Sequence, residues 1–298
     1  MTKKLDLSII IVNYNTRELL KQCLKSLPAG AEIIVVDNHS FDGSVKLVNS
    51  LINNSLINNK EIIKLILNKE NFGFAKANNQ ALRQAQSEYL LFLNPDTVVP
   101  QKTIPELISY LEKHQQVGAI TPLLQLRNGR LDPACHRGFP TPWAAFCYFA
   151  GLEKLFPKSK IFAQYHQTWQ DLKTTHEIDA CSGAFLLTRR RVLDQIGLFD
   201  EQYFFYGEDL DLCYRIKQVG YQIIFYPQVK AIHYKGVSSG IRSESQDITQ
   251  VDKATSQRAR TAASAAMAIF YDKFYQQRYP ALVTFLVKLA IRLKSLFD

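Results

Sequence analysis

The sequence predicts an α/β fold: a mostly parallel central sheet flanked by helices, with a helical extension at the C-terminus. Three observations predict it. Four short apolar runs alternate with helical patterns over the first hundred residues, as βαβ units do. Each run stops at a polar cluster. The end of the chain carries two long helical patterns divided by Pro280.

The first strand is expected at residues 7–12, a continuous β-branched run of the kind buried on both faces. Val12 leads into Asn13-Tyr14-Asn15-Thr16, which ends it. Thr16 is placed as the N-cap of a helix over 17–27, with Glu18 in its first turn. Pro28-Ala29-Gly30 closes that unit. A second strand over 32–36 runs into Asp37-Asn38-His39-Ser40, and Val45, Leu47, Val48 and Leu51 mark the helix after it. Residues 62–67 read as the third strand, 75–86 as helix and 88–93 as the fourth strand, which stops at Asn94-Pro95-Asp96. Further on, a helix within 100–120 leads to a short strand at 118–120. An apolar strand falls within 179–188, helices within 189–197 and 209–220, and strands at 223–226 and 229–232. Residues 254–274 read as one long helix, and 281–297 as an apolar helix interrupted by Lys288, Arg292 and Lys294.

With 298 residues and 47% hydrophobic content, the chain can bury a large core. The five cysteines are odd in number and widely spaced, which fits buried thiols in a reducing, cytoplasmic setting better than disulfides or a zinc site. The first apolar run is too short for a signal peptide. A net charge of +9 suits an anionic membrane surface or a phosphorylated ligand; no basic-aromatic signature points to nucleic acid. The last helix reads as a basic amphipathic helix lying on a membrane or as a docking or oligomer-contact helix; a transmembrane span is the lesser alternative, because three basic residues interrupt it.

The residues that could carry chemistry lie after the strands, where open α/β sheets bind ligands. Asp96 could bring a carboxylate to a divalent cation, Mg2+ or Mn2+, beside a diphosphate. Glu208-Asp209-Leu210-Asp211 begins a helix, whose macrodipole should keep carboxylates ionised and ready to take a proton. The plainer readings are solvated helix-start charges and an Asp211–Arg215 ion pair four residues apart. Asp37 could equally be a turn carboxylate, and His233 a metal ligand or a core histidine. Lys235, Ser238, Ser239 and Arg242 lie in or beside the stretch 236–240, a loop able to cover a diphosphate or simply an exposed basic loop. Neither a Gly-x-Gly-x-x-Gly after the first strand nor a P-loop is present, which argues against dinucleotide oxidoreductases and P-loop enzymes.

The ordered set Ile10-Ile11-Val12-Asn13-Tyr14-Asn15, Val35-Val36-Asp37-Asn38-His39-Ser40, Asn71-Phe72-Gly73-Phe74, Leu93-Asn94-Pro95-Asp96, Gly183-Ala184 and Tyr206-Gly207-Glu208-Asp209 resembles the family 2 glycosyltransferases. These have the GT-A fold, a Rossmann-like sheet. The resemblance covers residues 6–240 and is greatest to rhamnosyltransferase-like enzymes of bacterial surface polysaccharide synthesis. It implies a GT-A domain over 1–245, with a nucleotide-binding half (1–120) and an acceptor-binding half (121–245), and a C-terminal helical extension (246–298). It implies an inverting transfer of a sugar, first choice rhamnose from dTDP-rhamnose, to a hydroxyl of a glycan or polyprenyl-linked acceptor. That acceptor would place the chain at the inner face of the plasma membrane.

Carried over by resemblance, Asp209 is the base, while Glu208, Gly183 and Ala184 meet the acceptor. Val12, Asn13, Tyr14, Asn15, Asp37, Asn71, Gly73, Phe74, Asn78, Asn94, Pro95, Lys235 and Arg242 meet the donor. Asp96 and His233 meet the metal. Asn94 stands where the better-known Asp-x-Asp motif has an acid, so contact of position 94 with the metal is not implied. The stretch 125–178, broken by glycines and prolines and rich in aromatic residues, reads as an insertion shaping the acceptor region or as packing under a long loop. A sugar nucleotidyltransferase or a non-catalytic nucleotide-sugar-binding protein are the alternatives. The first would normally carry a Gly-rich basic loop where Asn13-Tyr14-Asn15 stands.

Overall fold

The structure is a computed structural model that describes residues 5–53, 63–235 and 253–297. Its N-terminal half is built of β1 (Leu7–Asn13), α1 (Arg17–Ser26), β2 (Glu32–Asp37), α2 (Ser44–Asn53), β3 (Ile63–Leu67), α3 (Phe74–Leu82) and β4 (Tyr89–Leu93). β1 pairs in parallel with both β2 and β4, and β2 with β3. All seven residues of β1 are buried. Alternate side chains point to opposite faces, so both faces are covered and the run needs no polar alternation. Parallel pairing puts the polar clusters after these strands on one edge, with Asn13 in register with Asp37.

Beyond β4 come β5 (Thr97–Val98), α4 (Thr103–Lys113), β6 (Val117–Leu126), α5 (Pro142–Phe149), α6 (Leu152–Leu155), β7 (His176–Ile178), β8 (Phe185–Arg189), α7 (Arg190–Ile196), α8 (Glu208–Gln218) and β9 (Gln222–His233). The strand order is β3-β2-β1-β4-β8-β6-β9-β5, with β7 also on β9. β8 runs antiparallel between β4 and β6, while β6 and β9 are parallel. The parallel half expected from sequence therefore continues into a mixed half.

β6 and β9 are much longer than the runs read from sequence. Pro122 and Pro227 lie inside them and mask their continuity. The two strands tolerate these prolines at a register shift, where Pro122 pairs with Tyr226 but Leu123 pairs with Lys230. Two-residue β5 has no sequence signal of its own. It pairs with the end of β9 and sets Thr97 opposite His233.

Thr16 precedes α1 but does not cap it with its side chain. Its hydroxyl donates to Asn13 Oδ1 at 2.6 Å, and the Arg17 backbone N–H is instead bound by Asp42 Oδ2 at 2.8 Å.

The last two helices are α9 (Lys253–Phe274) and α10 (Ala281–Phe297), broken at Pro280 as expected. α9 is joined to the sheet-bearing body: Phe270, Tyr271 and Phe274 enter the core, and Lys273 pairs with Asp200 and Asp211 at 2.6 Å each. Among the described residues no helix is long and apolar enough to cross a membrane.

Candidate active site

A cavity of about 1400 Å³ lies at the edge where β1 and β4 end and is lined as well by residues of α5, α9 and α10. Asp96 and Asp209, 113 positions apart in sequence, both line it.

The Asp96 corner is assembled by the β5–β9 pairing. The Tyr234 backbone N–H donates to the Asp96 carbonyl at 2.9 Å, and His233 Nε2 lies 3.3 Å from Asp96 Oδ1. His233 Nδ1 is held by Asp132 Oδ2 at 2.7 Å. Lys235 Nζ donates to the other oxygen of Asp132. Burial alone would lower the His233 pKa. The charge of Asp96 and the hydrogen bond to Asp132 outweigh it and push the value up to about 9. Asp132 goes the opposite way: despite burial, His233 and Lys235 hold its carboxyl well below the usual range. Asp96 Oδ1 is buried and accepts no hydrogen bond. A buried carboxylate oxygen beside an imidazole held by a second carboxylate suits a cation, which would have to replace the proton that the raised pKa keeps on His233. Only two such ligands converge here, and no cluster of three or more His, Cys, Asp or Glu that could hold a metal occurs among the described residues.

The Asp209 corner lies at the start of α8, after Tyr206 and Gly207, both at positive φ. Arg137 Nη2 donates to Asp209 Oδ2 at 2.7 Å, and the Gly183 N–H to the same oxygen at 3.2 Å. Glu208 corrects the expectation that the macrodipole keeps this cluster charged. Burial, reinforced by the neighbouring charge of Asp209, raises its pKa to about 8; a half-charge at a helix end cannot offset lost hydration. Asp211 makes the ion pair expected with Arg215, at 2.6 Å, and points away from the cavity into Lys273.

Ten further predicted residues line the cavity: Val12, Tyr14, Asn71, Gly73, Phe74, Asn94, Pro95, Gly183, Ala184 and Lys235, besides Glu208 and His233. Gly73 is required for an unforeseen reason. Its φ is +82°, and a Cβ there would sit 2.3 Å from the Phe204 carbonyl oxygen. The close approach is to the chain itself, fastening α3 to the segment before α8.

Asn13, Asn15, Asp37 and Asn78 are not among the cavity walls. Asn13 Nδ2 donates to Asp37 Oδ2 at 2.8 Å, and the Ser40 N–H to Asp37 Oδ1 at 2.8 Å. Asn15 accepts from the Phe41 N–H, and Asn78 Nδ2 donates to the Phe74 carbonyl one turn earlier. These side chains brace the loops after β1 and β2 and the start of α3. Arg242 lies outside the described residues, as do Ser238 and Ser239.

Sequence reasoning missed Arg137, Asp132 and Asn38. Arg137 and Asp132 lie in the irregular stretch between β6 and β8, where no periodicity marks a functional position. Asn38, beside Asp37, lines the cavity and donates to the Gly73 carbonyl at 3.0 Å. The aromatic residues Trp143, Phe146, Tyr148 and Phe149 of α5 also line the cavity.

Residues 8–197 match the family model described as Glycosyl transferase family 2. A rhamnosyltransferase of Escherichia coli K12, WbbL, is 29% identical over 238 residues, 76% of this chain and 82% of that protein. The N-acetylglucosaminyl-diphospho-decaprenol L-rhamnosyltransferase of Mycobacterium tuberculosis is 25% identical over 249 residues, 78% of each chain. In fold, the chain is similar to the mannosyltransferase PcManGT of Pyrobaculum calidifontis, solved with GDP-Man and Mn2+. The TM-score is 0.58 with 19% identity, over 99% of this chain and 73% of that one. Residues 1–349 of Staphylococcus aureus TarS, solved with UDP, give a TM-score of 0.55 at 17% identity, over 93% and 74%. The match to the family model spans more than half of the chain and includes the parallel strands and Asn94-Pro95-Asp96. The chain thus belongs to glycosyl transferase family 2 and is a glycosyltransferase of the GT-A fold.

Proposed function

We propose that this glycosyltransferase moves a sugar, rhamnose before other hexoses, from a dTDP- or UDP-linked donor to a hydroxyl of a lipid-linked glycan in surface polysaccharide synthesis, with inversion at the anomeric carbon. The observation that carries this reading is the meeting of Asp96 and Asp209 on one cavity. The rhamnosyltransferase relatives support the donor choice, and the decaprenol-linked substrate in the name of one relative supports the acceptor class.

In this reading residues 1–120 hold the donor and 121–245 present the acceptor, while α9 and α10 of the C-terminal extension line the cavity. Asp96 and His233 would hold Mg2+ or Mn2+, leaving other positions for diphosphate oxygens and water. Bound there, the cation would supply charge neutralisation for the departing nucleotide diphosphate. Asp209 accepts the proton of the acceptor hydroxyl as its oxygen attacks the anomeric carbon. The Arg137 guanidinium and Gly183 N–H, both on Oδ2, orient Asp209 for that task. Glu208, neutral below about pH 8, can donate a hydrogen bond to an acceptor oxygen.

A panel of nucleotide sugars, each titrated with and without Mn2+, tests the reading. dTDP-rhamnose should bind in a cation-dependent way and give transfer to a lipid-linked glycan. Preference for a different sugar would overturn the rhamnose assignment, and retention of configuration in the product would overturn inversion.

A further inference from the structure

Two exposed apolar surfaces flank the mouth of the cavity. The first lies on α10, where Leu282, Phe285, Leu286, Leu289, Leu293 and Leu296 are all exposed, Leu296 at 78%. By helical periodicity they fall within an arc of roughly 100°. Other positions of α10 are engaged: Thr284 bonds Tyr271, Lys288 pairs with Asp272, and Val287 and Ile291 line the cavity. The second surface lies on α5, α6 and the turn after them. There Phe149, Leu155, Phe156 and Ile161 are exposed, Leu155 at 69%. Trp143, Phe146 and Phe149 on this side, and Leu286 on the other, are both exposed and cavity-lining. They mark the mouth between the two surfaces.

Charge follows the same outline. Lys154, Lys158 and Lys160 are exposed on one side and Arg292 on the other. Neither residues 154–165 nor residues 281–297 contain an acidic side chain. Arg258 and Arg260 of α9 line the same cavity as Asp209.

We infer that the two surfaces are the lips of a bilayer-seated entrance: the partner is an anionic lipid membrane, and a lipid-linked acceptor enters between α5 and α10 with its phosphates toward the α9 arginines. The inference rests on the lipid-linked acceptor proposed above. Three features favour a membrane over a second copy of the chain. Both lips are basic, so identical copies facing each other would repel. A copy seated on both lips would close the route to Asp209. Aromatic and aliphatic side chains flanked by lysine and arginine match the interface of an anionic bilayer.

The test uses the full chain and two variants, Leu289→Glu/Leu293→Glu and Leu155→Glu/Ile161→Glu. All four positions are exposed and none lines the cavity; unchanged circular dichroism and thermal unfolding verify folding. Flotation is measured with phosphatidylglycerol–phosphatidylethanolamine vesicles and with phosphatidylcholine vesicles. Wild type should float with the anionic vesicles, and each variant should lose at least about tenfold in partitioning. Transfer to a long-chain lipid-linked acceptor in those vesicles should fall in parallel, while transfer to a water-soluble short-chain acceptor stays at the wild-type level. Equal flotation of variants and wild type overturns the inference. So does equal loss on both acceptors, or a wild-type dimer in light scattering that the variants convert to monomer. Intact anionic flotation with no transfer to either acceptor overturns the proposed function instead and leaves the membrane surface standing.

Discussion

The two halves of the sheet build their polar sites in different ways. At the carboxyl ends of β1 to β3 the bracing contacts are amides, hydroxyls and the carboxylates of Asp37 and Asp42, which accept from N–H and O–H groups rather than from cations. Asn13, Asp37 and Ser40 are held by strand register, and Asn38 reaches Asn71 and Gly73 at the next strand end. Around β6, β8 and β9 the contacts are ion pairs between distant segments: Arg137 with Asp209, Asp132 with His233, Lys273 with Asp211. Buried charges are costly unless paired. The second half therefore carries the carboxyl and imidazole groups whose proton affinities are most displaced. Under the proposed function, the difference would assign donor binding and proton chemistry to separate parts of one sheet.

The largest effect that would sharpen this contrast is Asp209→Asn. Transfer should fall by about 10²- to 10⁴-fold, the range of a lost general base, while calorimetric titration of the donor stays near wild type. Loss of donor binding in that variant would break the separation.

Next comes stability. Arg137→Ala leaves Asp209 buried without its guanidinium and should cost about 3–5 kcal/mol in denaturant unfolding. Asn13→Ala, which removes a neutral contact in the other half, should cost about 1 kcal/mol. Comparable costs would mean that the halves are built alike.

The smallest effect is pH-dependent. Glu208 has its pKa raised from 4.5 to about 8 in the folded chain. Between these values the folded state binds more protons than the unfolded state, so this group erodes stability as pH rises. Glu208→Gln should therefore gain thermal stability over wild type progressively from about pH 4.5 to about 8 and hold the gain above that. A difference in melting temperature that is flat with pH would show that Glu208 is not the buried acid described.

Legibility in the sequence follows the same division. The parallel strands, the break at Pro280 and the Asp211–Arg215 pair were readable because each rests on contacts within a few residues or on adjacent βαβ units. The family motifs pointed to Asp96 and Asp209, yet no pattern pointed to Arg137 or Asp132, whose partners lie 72 and 101 positions away. Asn13, Asn15, Asp37 and Asn78, which the resemblance sets at the donor, each make a bracing hydrogen bond and are not among the cavity walls: at the strand ends polar side chains satisfy the backbone and one another, and within α3 Asn78 bonds the carbonyl one turn back.

By itself the sequence determined the alternation of buried strands and amphipathic helices, since local hydrophobic period dictates which faces can be covered. It also determined which carboxylates end those elements. Only the tertiary structure decided that two-residue β5 would pair with β9 and set Asp96 against His233. It likewise decided that Glu208 would be buried enough to hold its proton at neutral pH. Pairing across the fold and loss of hydration are properties of what surrounds a residue, and a linear string carries them only once it has folded.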